Sequence, residues 1–473
     1  MEPAKFLVNG EWIATENKQS VTNPYKNDVV GEVFQAGPRQ IDQAIMSAAD
    51  AFSQTRLLTS FERSTILGAI AKEIESSKET FSKLITGETG KPITFSRVEV
   101  ERAIFTFTFS AEEAKRIEGN IVPLDLAPKS NDRIALVRRF PLGPVGAITP
   151  FNFPLNLVAH KVGPAIAAGC SIVLKPSSKA PLTALRLAEI IDRTVLPKGG
   201  FNVVPCPGDQ AEQLVTDKRI KLITFTGSPA VGWALKAKAG KKRVLLELGG
   251  NAGVIVDKDA DLAHALRRIV QGAYGNAGQS CISVQRVFVH ESVYTRFSEQ
   301  LLKMTKSIAS GDPENERTVV GPMIDEAAAS KVEGWIFEAL AQGANLLCGG
   351  RRTGAFLEPT VVTDARPEMK INAQEVFAPV VTIAPFKEFR EAVQMVNQSE
   401  YGLQAGVFTN NLDHVLYAYR ELEVGGVIIN DSSSYRMDNM PYGGVKDSGH
   451  GREGVPYAIE EMTELKLLGL TMV

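Results

Sequence analysis

A glutamate and a cysteine, each in a glycine-containing segment, carry the clearest chemical signal in this sequence. Glu247 begins the segment Glu-Leu-Gly-Gly-Asn at 247–251, and Cys281 ends the segment Gly-Gln-Ser-Cys at 278–281. A thiolate can attack a carbonyl carbon, and a carboxylate can take a proton from water. Together they can form a thioester and then hydrolyse it. The neighbouring glycines allow the backbone to approach a substrate closely.

Both residues also have a purely structural interpretation. Glu247 can be a strand-end carboxylate in a salt bridge, and a lone cysteine is more often an inert core residue than a nucleophile. The apolar neighbours of Cys170 and Cys206 predict that role for those two cysteines. Residues 275–280 are instead polar and rich in glycine. They predict an exposed loop that presents Cys281.

A third candidate lies between two prolines. The segment Pro-Phe-Asn-Phe-Pro at 150–154 predicts a rigid loop that presents the Asn152 amide. This amide can donate a hydrogen bond to the oxyanion that forms when a thiolate attacks a carbonyl group. Alternatively, Asn152 is a turn residue that bonds to its own backbone.

Length and composition narrow the class of protein. A chain of 473 residues usually exceeds one hydrophobic core, so we expect two or three lobes. A net charge of −2 argues against binding nucleic acid by phosphate neutralisation. Four widely spaced cysteines, without metal-ligand spacing, indicate a reducing compartment and no metal site. The apolar stretch 144–174 contains four prolines and is predicted to be a buried strand, loop and helix, not a membrane span. Since no signal peptide is visible, we predict a cytoplasmic protein.

Short apolar runs alternate with amphipathic segments from residue 171 onward. This alternation predicts parallel, doubly wound α/β sheets, with one lobe before and one lobe after the region of Glu247 and Cys281. The predicted strands are 172–174, 201–204, 222–225, 244–246 and 287–289. The predicted helices are 182–193, 209–216, 230–239 and 291–308. The apolar tail 464–473 predicts a strand that joins a sheet edge, and we favour the edge of a neighbouring subunit.

The segment 225–232 runs from a strand end into a helix and can hold a diphosphate at the helix start. Gly227 and Gly232 would remove side chains that block it, although a plain strand-to-helix turn is as good an interpretation. Lys175, which closes the strand before it, lies where such ligands bind, but can also be a solvated strand end. A literal G-x-G-x-x-G occurs at Gly449, Gly451 and Gly454. We reject it as a dinucleotide fingerprint, because no strand precedes it and no room for a βαβ unit follows.

Seven segments in a fixed order carry a resemblance to a known family. They are 149–154 (TPFNFP), 174–178 (LKPSS), 225–228 (FTGS), 247–250 (ELGG), 278–281 (GQSC), 375–379 (EVFAP) and 441–449 (PYGGVKDSG). Over nearly its full length the chain resembles the aldehyde dehydrogenase superfamily. Several segments are similar to the branch that contains lactaldehyde dehydrogenases and non-phosphorylating glyceraldehyde-3-phosphate dehydrogenases. The resemblance implies NAD(P)-dependent oxidation of a small aldehyde to a carboxylic acid.

This resemblance also implies the roles of individual residues. Cys281 would be the nucleophile, Glu247 would activate the hydrolytic water, and Asn152 with the backbone N–H of Cys281 would hold the oxyanion. Lys175 would bind the adenosine ribose and Glu375 the nicotinamide ribose. The full set of implied NAD or NADP contacts is Thr149, Pro150, Phe151, Lys175, Ser178, Gly208, Gly227, Ser228, Gly232, Leu248, Glu375 and Phe377.

By resemblance, the chain would contain three parts. Residues 1–114 and 138–247 would form the cofactor-binding domain, and residues 248–430 the catalytic domain. Residues 115–137 and 450–473 would form a small β bridging and oligomerisation element. The family implies a homodimer or homotetramer, and no nucleic-acid or membrane partner is expected.

Two positions bear on specificity. Ser178 stands where relatives restricted to NAD commonly have a glutamate that repels a 2′-phosphate, and Lys179 adds a positive charge beside it. We therefore expect NADP to be tolerated or preferred. For the aldehyde, the loop 431–436 and the helix around Arg97, Arg102 and Phe109 would shape the pocket. Arg436 can bind an anionic group, but a surface arginine is the favoured interpretation.

Three other functions remain open at this stage. A coenzyme-A-acylating enzyme would release the acyl group to a thiol and would not need the base Glu247. A thiol esterase would use the same nucleophile without nicotinamide. A protein that has lost catalytic activity and serves only in binding would not need to keep Asn152, Glu247, Cys281, Lys175 and Glu375 together.

Overall fold

The computed structural model of the protein describes residues 2–128 and 132–472. Residues 129–131 of the predicted bridging element lie outside this range, as do Met1 and Val473 at the ends of two predicted domains. Within the described ranges, no helix is long and apolar enough to cross a membrane.

The helices follow one another along the chain in this order: α1 (Pro38–Thr55), α2 (Ser60–Ser76), α3 (Lys78–Thr89), α4 (Ile93–Glu113), α5 (Asn156–Ala168), α6 (Leu182–Asp192), α7 (Glu212–Thr216), α8 (Pro229–Lys238), α9 (Leu262–Tyr274), α10 (Glu291–Lys306), α11 (Glu326–Ala341), α12 (Lys370–Ala373), α13 (Phe389–Asn397), α14 (Leu412–Glu421) and α15 (Val455–Glu461).

The strands, also in chain order, are β1 (Phe6–Val8), β2 (Glu11–Ile13), β3 (Lys18–Thr22), β4 (Val29–Phe34), β5 (Asn120–Pro123), β6 (Arg133–Pro141), β7 (Val145–Ile148), β8 (Ile172–Lys175), β9 (Phe201–Val203), β10 (Leu222–Thr226), β11 (Arg243–Glu247), β12 (Ala252–Val256), β13 (Val284–His290), β14 (Asn345–Cys348), β15 (Arg352–Thr353), β16 (Phe356–Leu357), β17 (Thr360–Thr363), β18 (Val380–Phe386), β19 (Tyr401–Gly402), β20 (Gln404–Phe408), β21 (Gly426–Ile429), β22 (Val445–Lys446), β23 (Gly449–His450) and β24 (Thr463–Thr471).

Two large sheets confirm the predicted α/β fold class. The first has the strand order β23-β11-β10-β7-β8-β9, and all of its pairs are parallel except β23 with β11. The second has the order β14-β17-β18-β13-β12-β20-β21 and is parallel except for β14. Strands such as β7, β8 and β12 are buried at every residue, as expected where helices cover both faces of a parallel sheet.

The strand directions bring the candidate residues to one edge of the first sheet. β7 ends directly before the loop that holds Asn152, and β8 ends at Lys175. β10 ends at Thr226 and β11 at Glu247. Because these four strands are parallel, their carboxyl ends lie at the same edge, which is where open α/β sheets bind ligands.

The C-terminal strand corrects one prediction. We favoured a neighbouring subunit as its partner, but β24 pairs antiparallel with β6 of the same chain along its whole length, from Thr463 opposite Pro141 to Thr471 opposite Arg133. The resulting sheet has the order β24-β6-β5, so β24 is itself an edge strand. Within one chain, the nine-residue β6 already supplies the backbone partners that the tail needs.

Most of the predicted strands and helices are confirmed to within a few residues. Helix α7 is shorter than predicted, because the residues before it form turns with hydrogen bonds to the third residue back, such as Ala211 N–H to Gly208 O. The late glycine motif has a packing role. Its first glycine lies in β23 against β11, where a Cβ on Gly449 would come 2.2 Å from the Leu246 carbonyl oxygen.

The bounds of the three domains stay a prediction. β6 crosses the proposed limit at residues 137 and 138, and β23 belongs to the first sheet although it lies far beyond residue 247 in the chain.

Candidate active site

A cavity of about 350 Å³ collects most of the predicted site residues. This volume falls in the range of small-molecule sites. The predicted residues that line it are Pro150, Phe151, Asn152, Gly227, Ser228, Glu247, Leu248, Cys281, Glu375 and Phe377. Residues far apart in sequence therefore meet at the carboxyl edge of the first sheet.

The other five predicted residues do not line this cavity. Thr149 donates its backbone N–H to Lys175 O, and Lys175 is buried at the end of β8. The Ser178 hydroxyl lies 3.5 Å from the Cys206 carbonyl oxygen, two residues before the exposed Gly208. Thr149, Lys175, Ser178 and Gly208 thus lie along the same sheet edge as the cavity, but outside it. Gly232 lies in α8 against Leu248.

The loop that carries Asn152 is held by a buried ion pair between Lys91 and Glu99, whose side chains are at most 1% exposed. Lys91 Nζ donates to the backbone oxygen of Asn152 at 2.6 Å. Glu99 Oε1 accepts the backbone N–H groups of Leu155 and Asn156 at 2.9 and 3.2 Å. The pair thus fixes both ends of the loop. Such burial is tolerated only because each charge has a charged partner and further hydrogen bonds.

Cys281 follows a tight turn. In the 3-10 turn Gly275–Gly278, Asn276 and Ala277 have φ near 54°, a strained conformation for residues with side chains. A Cβ on Gly278 would come 2.1 Å from the Ala378 carbonyl oxygen. Asn276, Ala277 and Gly278 are buried and Cys281 is half-buried, so the prediction of an exposed loop is wrong. The turn is buried because it packs against the segment that contains Ala378.

Two glycines bring the acid and thiol segments together. A Cβ on Gly250 would lie 2.0 Å from the carbonyl oxygen of Cys281, so only glycine fits this contact. The neighbouring Gly249 leaves room for the Glu375 carboxylate, which would otherwise approach its Cβ to 2.5 Å. Glu375 Oε1 accepts the Gly250 N–H at 2.9 Å. Burial raises the pKa of Glu375 to about 7.

Glu247 is buried at the end of β11, with 4% exposure. Among the described residues, its Oε2 atom has no hydrogen-bond partner. Burial, together with the charge of the nearby Glu453, raises the pKa of Glu247 well above its usual value, although Arg436 and Lys161 act against this. A carboxylate with a raised pKa and a free oxygen is suited to take a proton from water.

A cluster of buried charges, here termed the charge cluster, lies beside Glu247 and Cys281. Its members are Arg102, His160, Lys161, Arg436, Asp438 and Glu453. Lys161 Nζ lies 2.8 Å from Glu453 Oε1, and Asp438 accepts from Arg102 and His160. Burial acts against ionisation of Asp438, but His160 and Arg102 hold its pKa well below its usual range. Burial, followed by the charge of Arg436, lowers the pKa of His160.

Arg436 was interpreted from the sequence mainly as a surface residue, and that interpretation is wrong. Its side chain is 7% exposed and lines the cavity. The guanidinium lies 3.6 Å from the centroid of the Tyr442 ring, and its Nη2 lies 3.5 Å from Glu453 Oε2. No other described residue accepts a hydrogen bond from its Nε.

The other residues expected to shape the substrate pocket divide into two groups. Arg102 and Ser434 line the cavity. Arg97 instead pairs with Glu79 and Glu316 near the surface. Phe109 stacks on Phe105 with ring centroids 5.8 Å apart.

The cavity wall also fits a nicotinamide dinucleotide. Thr226, Gly227 and Ser228 line it where β10 leads into α8, and the Thr226 hydroxyl is buried without a partner among the described residues. Ser228 makes no side-chain cap of α8, which leaves the N–H groups at the helix start for an anionic ligand. Phe151 packs edge-to-face on Phe377 with centroids 6.1 Å apart.

Both glycines of this segment also have a packing role. A Cβ on Gly227 would come 2.5 Å from the ring of Phe225, and one on Gly232 would come 2.3 Å from Leu248 Cδ2. The expectation that the two glycines leave space for a diphosphate stays a prediction.

Comparison with known proteins agrees with this geometry. The aldehyde dehydrogenase family model matches residues 12–468. The chain belongs to the aldehyde dehydrogenase family. It is 48% identical to a 3-sulfolactaldehyde dehydrogenase of Priestia aryabhattai, over 99% of this chain and 98% of the relative.

Solved structures of this family show the same fold. Aldehyde dehydrogenase 21 of Physcomitrella patens, in complex with the reaction product succinate, matches with a TM-score of 0.98 and 44% identity, over 100% of this chain and 99% of that one. The glyceraldehyde-3-phosphate dehydrogenase GapN of Methanocaldococcus jannaschii, complexed with NADP, matches with a TM-score of 0.93 and 41% identity. The match covers 97% of this chain and 100% of that one. This chain is accordingly an NAD(P)-dependent oxidoreductase that acts on aldehydes.

Sequence reasoning missed several residues around the site of this aldehyde dehydrogenase. Lys91, Glu99, His160, Lys161 and Glu453 gave no pattern that separates them from solvated charges. The one available signal was the position of His160 and Lys161 inside a stretch otherwise predicted to be buried. A buried lysine and histidine need partners, and the partners lie far away in the sequence.

We predict that Glu99→Gln destabilises the protein by about 3–5 kcal/mol, because it leaves the Lys91 ammonium buried without its counter-charge. Chemical unfolding monitored by fluorescence measures this loss. The matched control is Glu101→Gln on the same helix, which breaks the exposed pair with Lys78 and should cost less than about 1 kcal/mol. Equal losses in the two variants would contradict the role assigned to the buried pair.

Proposed function

We propose that this enzyme oxidises a small, hydroxylated or anionic aldehyde to its carboxylic acid through a thioester on Cys281. The observation that carries the proposal is the meeting of Cys281, Glu247 and Asn152 in one cavity that also contains Arg436. Two of the related proteins are named for 3-sulfolactaldehyde and for glyceraldehyde 3-phosphate, and the third was solved in complex with its reaction product succinate. Each of these compounds carries an anionic group.

The reaction begins at Cys281. Its thiolate attacks the aldehyde carbon, and the carbonyl electron pair moves to oxygen. Asn152 Nδ2 already donates one N–H to Gln279 O at 3.1 Å, which leaves its second N–H for this oxyanion. Bound NAD(P) supplies the acceptor for the hydride that leaves the same carbon. The acyl group then remains on the sulfur as a thioester.

Glu247 completes the reaction by taking a proton from the water that attacks the thioester carbon. The C–S bond breaks, the carboxylic acid leaves, and the thiolate of Cys281 is restored. The raised pKa of Glu247 makes its carboxylate a stronger base. This base is the feature that favours hydrolysis over transfer of the acyl group to coenzyme A.

We predict that Glu247→Gln and Cys281→Ser fail at different steps. Glu247→Gln should still form about one reduced nicotinamide per subunit rapidly, and then turn over about 10²–10⁴-fold more slowly, because only water activation is lost. Cys281→Ser should show neither phase, since a hydroxyl is a far weaker nucleophile than a thiolate. Stopped-flow absorbance of the reduced nicotinamide, without coenzyme A, measures both.

The control for this experiment is Cys348→Ser, which changes a half-buried cysteine that does not line the cavity. It should behave as the wild type. Native turnover by Cys281→Ser would refute the proposed nucleophile. Product formation that strictly requires coenzyme A would refute the hydrolytic route.

Arg436 is the residue we assign to the anionic end of the substrate. Its guanidinium is buried in the cavity wall, and its Nε has no partner among the described residues. Nε lies 4.0 Å from Asp438 Oδ1 and Nη2 lies 3.5 Å from Glu453 Oε2, so the nearby carboxylates leave Nε without a close acceptor, which an anionic ligand would supply. Arg102 also lines the cavity, although its Nε and Nη2 are bonded to Asp438.

We predict that Arg436→Gln lowers kcat/KM about 10–100-fold for aldehydes that end in a carboxylate or sulfonate, because a charge-assisted hydrogen bond is lost. Uncharged aldehydes of equal chain length should lose less, because for them only the effect of Arg436 on Tyr442 and Cys281 is lost, and not a contact with the substrate. Initial-rate kinetics on such matched pairs measure the difference. Arg420→Gln, on the surface of α14, is the control and should leave both classes unchanged. Equal losses for charged and uncharged aldehydes would contradict the assignment.

For the cofactor, we propose that NADP is tolerated or preferred. Ser178 is half-buried at the carboxyl edge of the first sheet and carries no charge. The positive charge of Lys179, which also supported this expectation, contributes less. Its Nζ lies 2.9 Å from Asp325 Oδ2, so the charge is partly neutralised. The absence of a carboxylate at position 178 is then the main support.

Ser178→Glu should lower the NADP-to-NAD ratio of kcat/KM by about tenfold or more, because a carboxylate repels the 2′-phosphate. Ser178→Gln has a side chain of similar size without the charge and should change the ratio much less. Steady-state kinetics with both nucleotides measure it. An unchanged ratio in Ser178→Glu would overturn this proposal.

Self-association and location complete the proposal. We propose a homodimer or homotetramer, in which the outer edge of β24 contributes to an interface. Four leucines on this strand are about half exposed or more: Leu465, Leu467, Leu468 and Leu470. An exposed apolar edge strand is a ready partner for another chain.

We also propose a cytoplasmic location, which the four free cysteines support.

A further inference from the structure

Tyr442 touches the reacting sulfur, and neither the resemblance nor the proposed mechanism gives it a role. Its hydroxyl oxygen lies 3.0 Å from Cys281 Sγ. The side chain is buried, with 4% exposure, and packs with Ile282 and Leu403 around Cys281. A phenol in this position is in direct contact with the proposed nucleophile.

The ring of Tyr442 is held in place from two sides. The backbone N–H and C=O of Tyr442 both bond to Glu453, at 3.0 and 2.6 Å. The guanidinium of Arg436 lies over the ring, 3.6 Å from its centroid. A cation over the face of an aromatic ring is attracted by its electrons. It also draws electron density from the ring, which makes the O–H group a stronger donor.

The groups that face the thiol act in opposite directions. Burial raises the pKa of Cys281 to about 12, and the carboxylates of Glu375 and Glu247 act in the same direction. The hydrogen bond to Tyr442 and the charge of Arg436 lower it. These two groups therefore offset part of the cost of a buried thiolate.

The hydrogen bond favours the charged form of sulfur. A thiol and a phenol can each donate to the other, but a thiolate can only accept. Burial and the nearby Cys281 raise the pKa of Tyr442 well above its usual value, so its O–H stays protonated. A donor aimed at the charged form favours that form.

We propose that Tyr442 is a catalytic residue, which donates its O–H to the Cys281 thiolate while Arg436 supports its ring. This role rests on the proposed function, because it matters only if Cys281 is the nucleophile. When the S–H bond breaks, the proton passes to solvent and the electron pair stays on sulfur. Tyr442 keeps its own proton. The sulfur electron pair then forms the bond to the aldehyde carbon.

The test measures thiolate formation without turnover. The folded enzyme is treated with iodoacetamide, an uncharged probe, at a series of pH values. After digestion, mass spectrometry of the peptide that contains Cys281 gives the rate of alkylation at each pH. In Tyr442→Phe, the rate near neutral pH should fall about tenfold, and the whole profile should move to higher pH, because one charge-assisted hydrogen bond is lost. kcat should fall with it under conditions where thiolate attack limits the rate.

Tyr435→Phe is the matched control, since this half-exposed tyrosine lies on the same loop as Arg436 and its ring does not line the cavity. It should alkylate like the wild type. Melting temperatures of both variants establish that they fold. An unchanged alkylation profile in Tyr442→Phe would overturn the role of Tyr442, whether or not kcat falls. Failure of the proposed function would appear separately, as turnover that survives in Cys281→Ser.

Discussion

The close contact between the backbones of the Glu247 and Cys281 segments is the constraint on which the site depends. Gly250 lies against the carbonyl oxygen of Cys281 so closely that a Cβ would reach within 2.0 Å of it. The same glycine donates its N–H to Glu375, which lies on a third segment. One contact between two segments thus fixes the acid, the thiol and a predicted cofactor ligand. A methyl group at this position would force them apart.

Buried charge is the second determinant of the chemistry. The Lys91–Glu99 pair fixes the Asn152 loop, and the charge cluster with Lys161 and Glu453 surrounds Glu247. In a buried site these interactions are stronger than on the surface, because the effective dielectric constant is lower. Burial and the charge of Glu453 raise the pKa of Glu247, while the hydrogen bond from Tyr442 and the charge of Arg436 offset part of the penalty on the Cys281 thiolate. Arg436 therefore acts on both the base and the nucleophile.

Several sequence predictions were wrong for a common reason. Arg436 was expected at the surface, the Cys281 loop was expected to be exposed, and β24 was expected to pair with another chain. Each error concerned a contact outside the residue's own segment: Tyr442 and Glu453 for Arg436, Ala378 for the turn before Cys281, and β6 for the tail. The spacing of residues along one segment carries no information about what packs against it.

The sequence by itself determined the fold class, most strands and helices of the first sheet, and the order of the site segments. It did so because hydrophobic periodicity and glycine-rich turns are local properties, and because parallel strands bring their carboxyl ends to one edge. Only the tertiary structure decided that Arg436 lies in the cavity, that Tyr442 touches the sulfur, and that Gly250 lies against the Cys281 carbonyl oxygen. Burial, charge pairing and van der Waals contact depend on atoms that are far apart in the chain, so they are defined only once it has folded.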